Sequence, residues 1–422
     1  MGHAVDEAPR PGLYLHVPFC RHRCGYCDFN VATGSDAAQR ADYARALVER
    51  LANVAAAGPA GVSADSGSAG VSADSAAVCP TPAWPTFGSV FVGGGTPTLL
   101  EPSDLSDVLR AAGKVLPLAD DVEITVEANP ETLVRDDGAP APERLAPLVE
   151  AGLTRLSLGA QSTSTRVLDE LERRHDPQAV PAAVSAAREA GVGQVAVDLI
   201  YGTPGETDEE WRATLDDVLA LAVDHVSAYA LTLAPNTPYA RAVASGRARS
   251  PDEDVAADRM ETTDQVLAGA GLERYEVSNW ARPGARCRHN LSTWRGGDYL
   301  GVGAGAHGLW AGRRWWEVRA TSAWLRAVAG RSRHAGPAPA HAPADPVVGG
   351  SEVPDENERR LERLVTGLRI LEGVPRPDVE PIDEASARQL VAAGLLTDDG
   401  VRLRPTRTGL ARADGMALAL QP

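Results

Sequence analysis

The sequence predicts an α/β protein: a parallel sheet forming a partial (β/α)6 barrel, then an α+β extension and a small winged-helix-like C-terminal domain. Three observations carry this. Six short β-rich runs alternate with helical patterns, the order that right-handed β-α-β crossovers generate. Polar or glycine-rich residues stand at or near the carboxyl end of each run, the rim where parallel α/β folds bind ligands. The last segment reads as a helix, a hairpin around Asp398-Asp399-Gly400 and a further helix.

The first run is LYLHV (13–17), and it leads into a cysteine-rich loop. A helix follows over 36–55, with Tyr43, Leu47, Val48, Leu51 and Val54 on one face. SVFV (89–92) precedes GGGTPT (93–98), and VEITVE (122–127) ends at Glu127. RLSLGAQ (155–161) ends at Gln161, and VAVDLIY (195–201) carries Asp198. The segment 207–222 is helical, with Trp211, Leu215, Val218 and Leu219 on one face and a capping box from Thr207 and Glu210. HVSAYAL (225–231) carries Tyr229 and Ala230.

The expected organisation is a disordered N-terminus (1–11), a core over 12–240, an extension over 241–330, a linker over 331–355 and the C-terminal domain over 356–422. Within the core, residues 58–82 repeat GVSADS and read as a low-complexity insertion, too poor in apolar residues to offset its ordering entropy. The linker 331–355 is rich in Pro, Ala and Gly. Cys79-Pro80, at the edge of the insertion, reads as chance although such pairs can ligate haem iron.

The net charge is −16, from 41 Lys+Arg against 57 Asp+Glu. An acidic surface repels phosphate, which argues against nucleic acid as a main partner. No run approaches the roughly 18 apolar residues of a membrane span. The N-terminus carries no apolar signal segment. The expected location is cytoplasmic, where thiols stay reduced and clustered cysteines point to metal or catalysis.

Three of the five cysteines, Cys20, Cys24 and Cys27, stand in the loop after the first run. Zinc would need a fourth ligand from His16, His22 or Cys287, and zinc ligands usually come as two short pairs. A chance cluster of core cysteines does not suit intervening Arg, His and Gly. The third reading is a [4Fe–4S] cluster held by three thiolates, which leaves one iron open. That iron can chelate the amino and carboxylate groups of S-adenosylmethionine. The reduced cluster can then pass an electron to the sulfonium.

C-x3-C-x2-C with Tyr26 before the last cysteine resembles the radical SAM superfamily. YLHVPFCRHRCGYCDFN, FVGGGTPT, VEANPET, LGAQS, DLIYGTPGET and RHNLSTWRGGDYLGVGAGAHG resemble the oxygen-independent coproporphyrinogen oxidase group, and within it the HemW haem chaperones. Two features favour the chaperones. The oxidase has a further cysteine where this chain has Phe29, and HNLSTW (289–294) matches an His-Asn-x-x-Tyr-Trp element except at Thr293. A second departure is Thr163, where the family usually has Phe.

The resemblance implies that Cys20, Cys24 and Cys27 hold the cluster. Tyr14, Gly94, Glu127 and His307 match positions around a first S-adenosylmethionine. Tyr26, Gly95, Thr96, Gln161, Arg173, Asp198 and Ala230 match positions that surround a second in the oxidase. Glu127 or Asp198 can accept from ribose hydroxyls or an ammonium, and Arg173 can clamp a carboxylate or be a surface charge. His289 is the first candidate haem ligand and Cys287 the second, since both side-chain types ligate haem iron. Trp280, Trp294, Trp310, Trp315 and Trp316 read as core aromatics before porphyrin contacts. The implied function is haem delivery to acceptor proteins. The alternative is an oxygen-independent coproporphyrinogen oxidase that decarboxylates propionates. A homodimer and peripheral membrane contact stay open.

Overall fold

The computed structural model describes residues 9–63, 83–332 and 345–422. The core is six parallel strands: β1 (Gly12–Val17), β2 (Phe87–Gly94), β3 (Leu118–Ala128), β4 (Arg155–Gln161), β5 (Gln194–Tyr201) and β6 (His225–Ala230). They pair in sequence order, each parallel to its neighbour. Their outward residues, such as Leu13, Leu15, Val90, Val92, Leu156 and Leu158, are fully or almost fully buried under the crossover helices. Alternation then turns Tyr14, Phe91, Ser157 and Asp198 toward the concave side, where they line a lumen.

The sheet stays open, and later strands lengthen both edges. These are β7 (Glu273–Arg274), β8 (Asn279–Ala281), β9 (Tyr299–Val302), β10 (His307–Trp310), β11 (Arg313–Glu317) and β12 (Val348–Glu352). The order is β12-β11-β10-β9-β1-β2-β3-β4-β5-β6-β8-β7, twelve strands in one sheet. The extension therefore does not stand apart from the barrel: β9 runs parallel against β1, and β8 antiparallel against β6.

The helix Asp208–Ala220 starts at the anticipated box, with the Thr207 hydroxyl accepting from the Glu210 amide. The first helix outruns its expectation and continues to Ser63 through a break at Gly58, whose φ is 69°. The Val62 carbonyl accepts from Arg313 there, so part of the expected insertion belongs to the fold. The remainder of that insertion, with Cys79, lies outside the described residues, as do residues 333–344 of the expected linker. The linker's ends are ordered elements: a helix to Ser332 and strand β12. At the N-terminus, residues 1–8 lie outside the described set, while Arg10 pairs with Asp121 and the Pro11 carbonyl accepts from Gly88.

Residues 356–422 form a small domain. Helices Glu356–Gly367, Glu384–Ala392 and Ala413–Ala419 pack on a three-stranded antiparallel sheet with its own buried cluster, including Leu368, Val379, Leu403 and Leu420. It docks on the extension through the Val277 amide to the Arg369 carbonyl and Arg369 over the Trp294 ring.

Candidate functional site

The lumen is a cavity of about 620 Å³ that runs from the carboxyl rim of the strands down to the residues at their amino ends. Its rim is the cysteine loop. Cys20, Cys24 and Cys27 all open onto it and none is in a disulfide. The loop is clamped to the glycine loop: the Gly95 amide donates to Val17 O at 2.8 Å and the Thr96 amide to Phe19 O at 2.7 Å. Thr96 is buried behind the wall and its hydroxyl donates to the Cys20 sulfur at 3.7 Å. Burial pushes the Cys20 thiol up to about 11.

Gly94 takes a φ of 114°, and a Cβ there would meet the His16 ring at 2.5 Å. A Cβ on Gly95 would lie 2.6 Å from the Phe19 carbonyl oxygen. Only glycine lets the two loops pack this closely. Below this glycine cradle, the Gly94 amide donates to Glu127 Oε2 at 3.0 Å. Burial, reinforced by the Asp198 charge, pushes the Glu127 carboxyl up to about 7. Asp198 is also raised by burial, while it accepts from Ser157 at 3.0 Å.

Arg173 is no surface charge. It reaches in from the loop after the helix Thr165–Glu170 to donate to Asn129 Oδ1 at 2.5 Å, the Gly159 carbonyl at 2.7 Å and the Cys24 sulfur at 3.7 Å. Gln161 lines the wall with a φ of 67°, at a register shift between β4 and β5. Tyr26 and Ala230 line the wall as well. His307 does not: it is an exposed residue of β10, its ring 5.9 Å from that of Trp316, outside the cavity. Its GVGAGAHG loop instead buttresses the cysteine loop from outside, where Asn30 donates to the Ala304 carbonyl at 2.8 Å.

Of the candidate fourth ligands, His16 is committed elsewhere. Its Nδ1 bonds the Tyr14 hydroxyl and its Nε2 the Asn30 carbonyl, both at 2.9 Å. Among the described residues no three His, Cys, Asp or Glu side chains already converge on one point.

The haem candidates lie at the opposite end of the lumen. The helix Arg288–Trp294 plugs the amino ends of the strands, held by Glu123, whose carboxylate accepts from the Arg288 and His289 amides at 2.9 and 3.3 Å. The Cys287 thiol donates to Glu123 at 3.5 Å, and burial pushes it well above the ordinary thiol range. His289 stacks on Phe91 with ring centroids 5.1 Å apart and bonds Ser89 through Nδ1 at 3.0 Å. Burial pushes the imidazole down to about 4, so it is neutral near pH 7. Trp294 points away, toward the C-terminal domain, and none of the five tryptophans lines the lumen. Thr163 likewise faces outward, donating to Asp217.

Arg155, Ser157, His225 and Ser227 complete the floor, and sequence reasoning missed them. The signal was there. Arg155 shares the lumen face of β4 with Ser157 and Gln161 by period two.

Two family models match the chain: the radical SAM superfamily over residues 82–218 and the HemN C-terminal domain over residues 355–412. The heme chaperone HemW of Mycobacterium tuberculosis is 38% identical over 417 residues, covering 98% of this chain and 96% of its own. The chain belongs to the HemW family. The HemW of Escherichia coli is 36% identical over 303 residues, covering 72% of this chain and 71% of its own. A mouse relative, radical S-adenosyl methionine domain-containing protein 1, mitochondrial, is 35% identical over 72% of this chain and 61% of its own. Among solved structures, the radical SAM enzyme coproporphyrinogen III oxidase (HemN) of Escherichia coli superposes with a TM-score of 0.74 at 20% identity. That match covers 98% of this chain and 90% of the oxidase, and it is a likeness of fold. No helix of the described residues is long and apolar enough to cross a membrane.

Proposed function

We propose that this chain holds a [4Fe–4S] cluster, S-adenosylmethionine and haem, and passes haem to acceptor proteins. One observation carries the reading: the cysteine trio, the glycine cradle and His289 open onto a single lumen, from opposite ends. The residues fit the cofactors. Three free thiols face the cavity, the close-packed turn at Gly94 and Gly95 that borders it admits only glycine, and Glu127 has a single backbone donor among the described residues.

In this reading Cys20, Cys24 and Cys27 ligate the cluster. When bound, the reduced cluster supplies an electron to the sulfonium. The chain's own residues position and shield. The carbonyls around Gly94 and Gly95 accept from the methionyl ammonium. Glu127 and Asp198 accept from ribose hydroxyls, and Arg173 pairs with a carboxylate. His289 offers Nε2 to haem iron, because Nδ1 is engaged by Ser89. Being neutral, it pays no proton to bind a metal. Haem-acceptor proteins are the partners. A cytoplasmic location suits three free cysteines in one loop.

The test is a haemin titration of anaerobically reconstituted protein, wild type against His289→Ala, with iron content measured in parallel. The expected result is a Soret shift that the variant weakens while its iron stays. An unchanged Soret response removes His289 as ligand. In a companion assay the protein receives coproporphyrinogen III, S-adenosylmethionine and reductant. Formation of protoporphyrinogen would overturn the chaperone reading in favour of the oxidase.

A further inference from the structure

Arg155 is 2% exposed, yet it has no carboxylate within ion-pair distance among the described residues. Its Nη1 donates to Gln194 Oε1 and to the Ala285 carbonyl, both at 2.9 Å. Its remaining donors belong to a side chain that lines the lumen floor. A buried cation without an anion is strongly disfavoured, because desolvation is not offset. Among the described residues no neighbouring carboxylate pairs with it, although Asp198 lies close enough to feel the Arg155 charge. Asp198 bonds Ser157 and Ser227, Glu127 bonds the Gly94 amide, and Glu123 holds the amides of Arg288 and His289. Beside Arg155 stands a second unsatisfied group: His225 is buried, its Nε2 bonds the Tyr275 hydroxyl at 2.9 Å, and its Nδ1 has no partner.

We infer that the floor of the lumen is an anion subsite in which Arg155, assisted by His225, holds a carboxylate of the bound tetrapyrrole. The inference rests on the haem reading above. Of the three arginines that line the lumen, Arg23 and Arg173 stand at the cysteine end and Arg155 at the floor. Arg173 bonds the Gly159 carbonyl beside the cysteines. Arg155 starts the same strand four residues earlier, which is about 13 Å away along it. A methionyl group bound at the cysteine end finds its partners there, at Arg173 and the glycine loop. The anion at the floor is a separate one, and in a haem-binding protein the available source is a propionate. Between the ends lies a flat aromatic wall for the ring. Phe91 stacks on His289 at an interplanar angle of 30°, and Tyr14 stacks on Phe91 at 26°.

The test titrates full-length reconstituted protein with haemin and with haemin dimethyl ester, whose propionates carry no charge. Wild type, Arg155→Gln and Arg155→Lys are compared, with S-adenosylmethionine affinity measured by dialysis and folding by thermal melting. Wild type is expected to favour the free acid by about tenfold or more, the scale of a buried charge-assisted hydrogen bond. Arg155→Gln should lose that preference by weakening only the free acid, with S-adenosylmethionine affinity unchanged. A preference that survives in Arg155→Gln overturns the inference. So does a loss of S-adenosylmethionine binding with the preference intact, which would assign Arg155 to the cosubstrate's carboxylate. Where Arg155→Gln fails to fold, Arg155→Lys decides: its preference should shrink severalfold, and an unshrunken ratio sinks the subsite. Wild type that binds neither haemin nor ester removes the haem reading itself. Wild type that binds both equally removes only this subsite.

Discussion

The rim and the floor of the lumen are assembled in opposite ways. At the rim the chemistry is local: three cysteines fall within eight residues of one loop, clamped on a glycine loop by two backbone hydrogen bonds. At the floor the groups come from five different elements. Ser89 and His289, which bond each other, are 200 residues apart, and Arg155, His225 and Glu123 come from β4, β6 and β3. The difference teaches that one cavity can carry two separable functions. In the proposed function, short-range sequence codes the end that grips the cofactor, and tertiary packing codes the end that receives haem.

The largest effect that separates the ends is metal content. Cys24→Ala removes a rim thiolate, and anaerobically reconstituted variant should fall from about four irons per chain to nearly none. Cys287→Ala removes a buried floor thiol that donates to Glu123 and should keep its iron. Iron and sulfide analysis of the two variants reads this directly. Equal losses would mean that Cys287 serves as a cluster ligand, and the division between the ends would fall.

Legibility follows the same division. The cysteine trio, GGGTPT and the six strand runs were readable because each signal is contiguous. The capping box at Thr207 and Glu210 formed as its spacing required. His307 misled because the GVGAGAHG loop supports the cysteine loop from outside, through Ala304 and Asn30, and turns the histidine away from the lumen. The place of HNLSTW was not readable either. Nothing local says that the helix Arg288–Trp294 closes the amino end of a sheet whose core strands begin between 63 and 276 positions earlier. Arg155 was hidden by a simpler cause. An arginine at the start of a strand reads as a solvated charge until its alternation partners are known to face a cavity.

A smaller effect tests whether the rim cradle is strained without its ligand. Burial first, and Asp198 second, raise the Glu127 carboxyl from 4.5 to about 7. The folded chain therefore keeps a proton that the unfolded chain has already released between pH ~4.5 and ~7, and across that window stability falls as pH rises. One such group contributes up to about 3 kcal/mol over the window. Glu206 and Glu276, also raised by burial to about 7, add to the same slope. In Glu127→Gln the slope of unfolding free energy against pH should become less negative by up to about 1.4 kcal/mol per pH unit, as urea melts between pH 5 and 7.5 would show. An unchanged slope would mean that Glu127 is ionised in the folded apo chain. The floor offers the contrast. His289 is held neutral down to about 4 while the unfolded imidazole titrates near 6.5, so between those values it adds a slope of the opposite sign, stability rising with pH.

The smallest effect compares one added methyl at each end. At Gly95 the new Cβ would meet backbone, the Phe19 oxygen at 2.6 Å and the Pro18 carbonyl at 2.8 Å. Backbone clamped between two loops cannot step aside, so Gly95→Ala should cost about 1–3 kcal/mol and weaken S-adenosylmethionine binding with it. At Gly12 the new Cβ would meet side chains, the His289 ring at 2.9 Å and the Ser89 hydroxyl at 3.0 Å. A ring can tilt by a few tenths of an ångström, so Gly12→Ala should cost less than about 1 kcal/mol. Its signature is local instead. The tilt loosens the Ser89 bond to Nδ1 and re-aims Nε2, so the haemin Soret response shifts while S-adenosylmethionine binding holds. If Gly12→Ala disturbed S-adenosylmethionine as much as haemin, the two ends would be one mechanical unit, and the independence argued for the floor would have no structural basis.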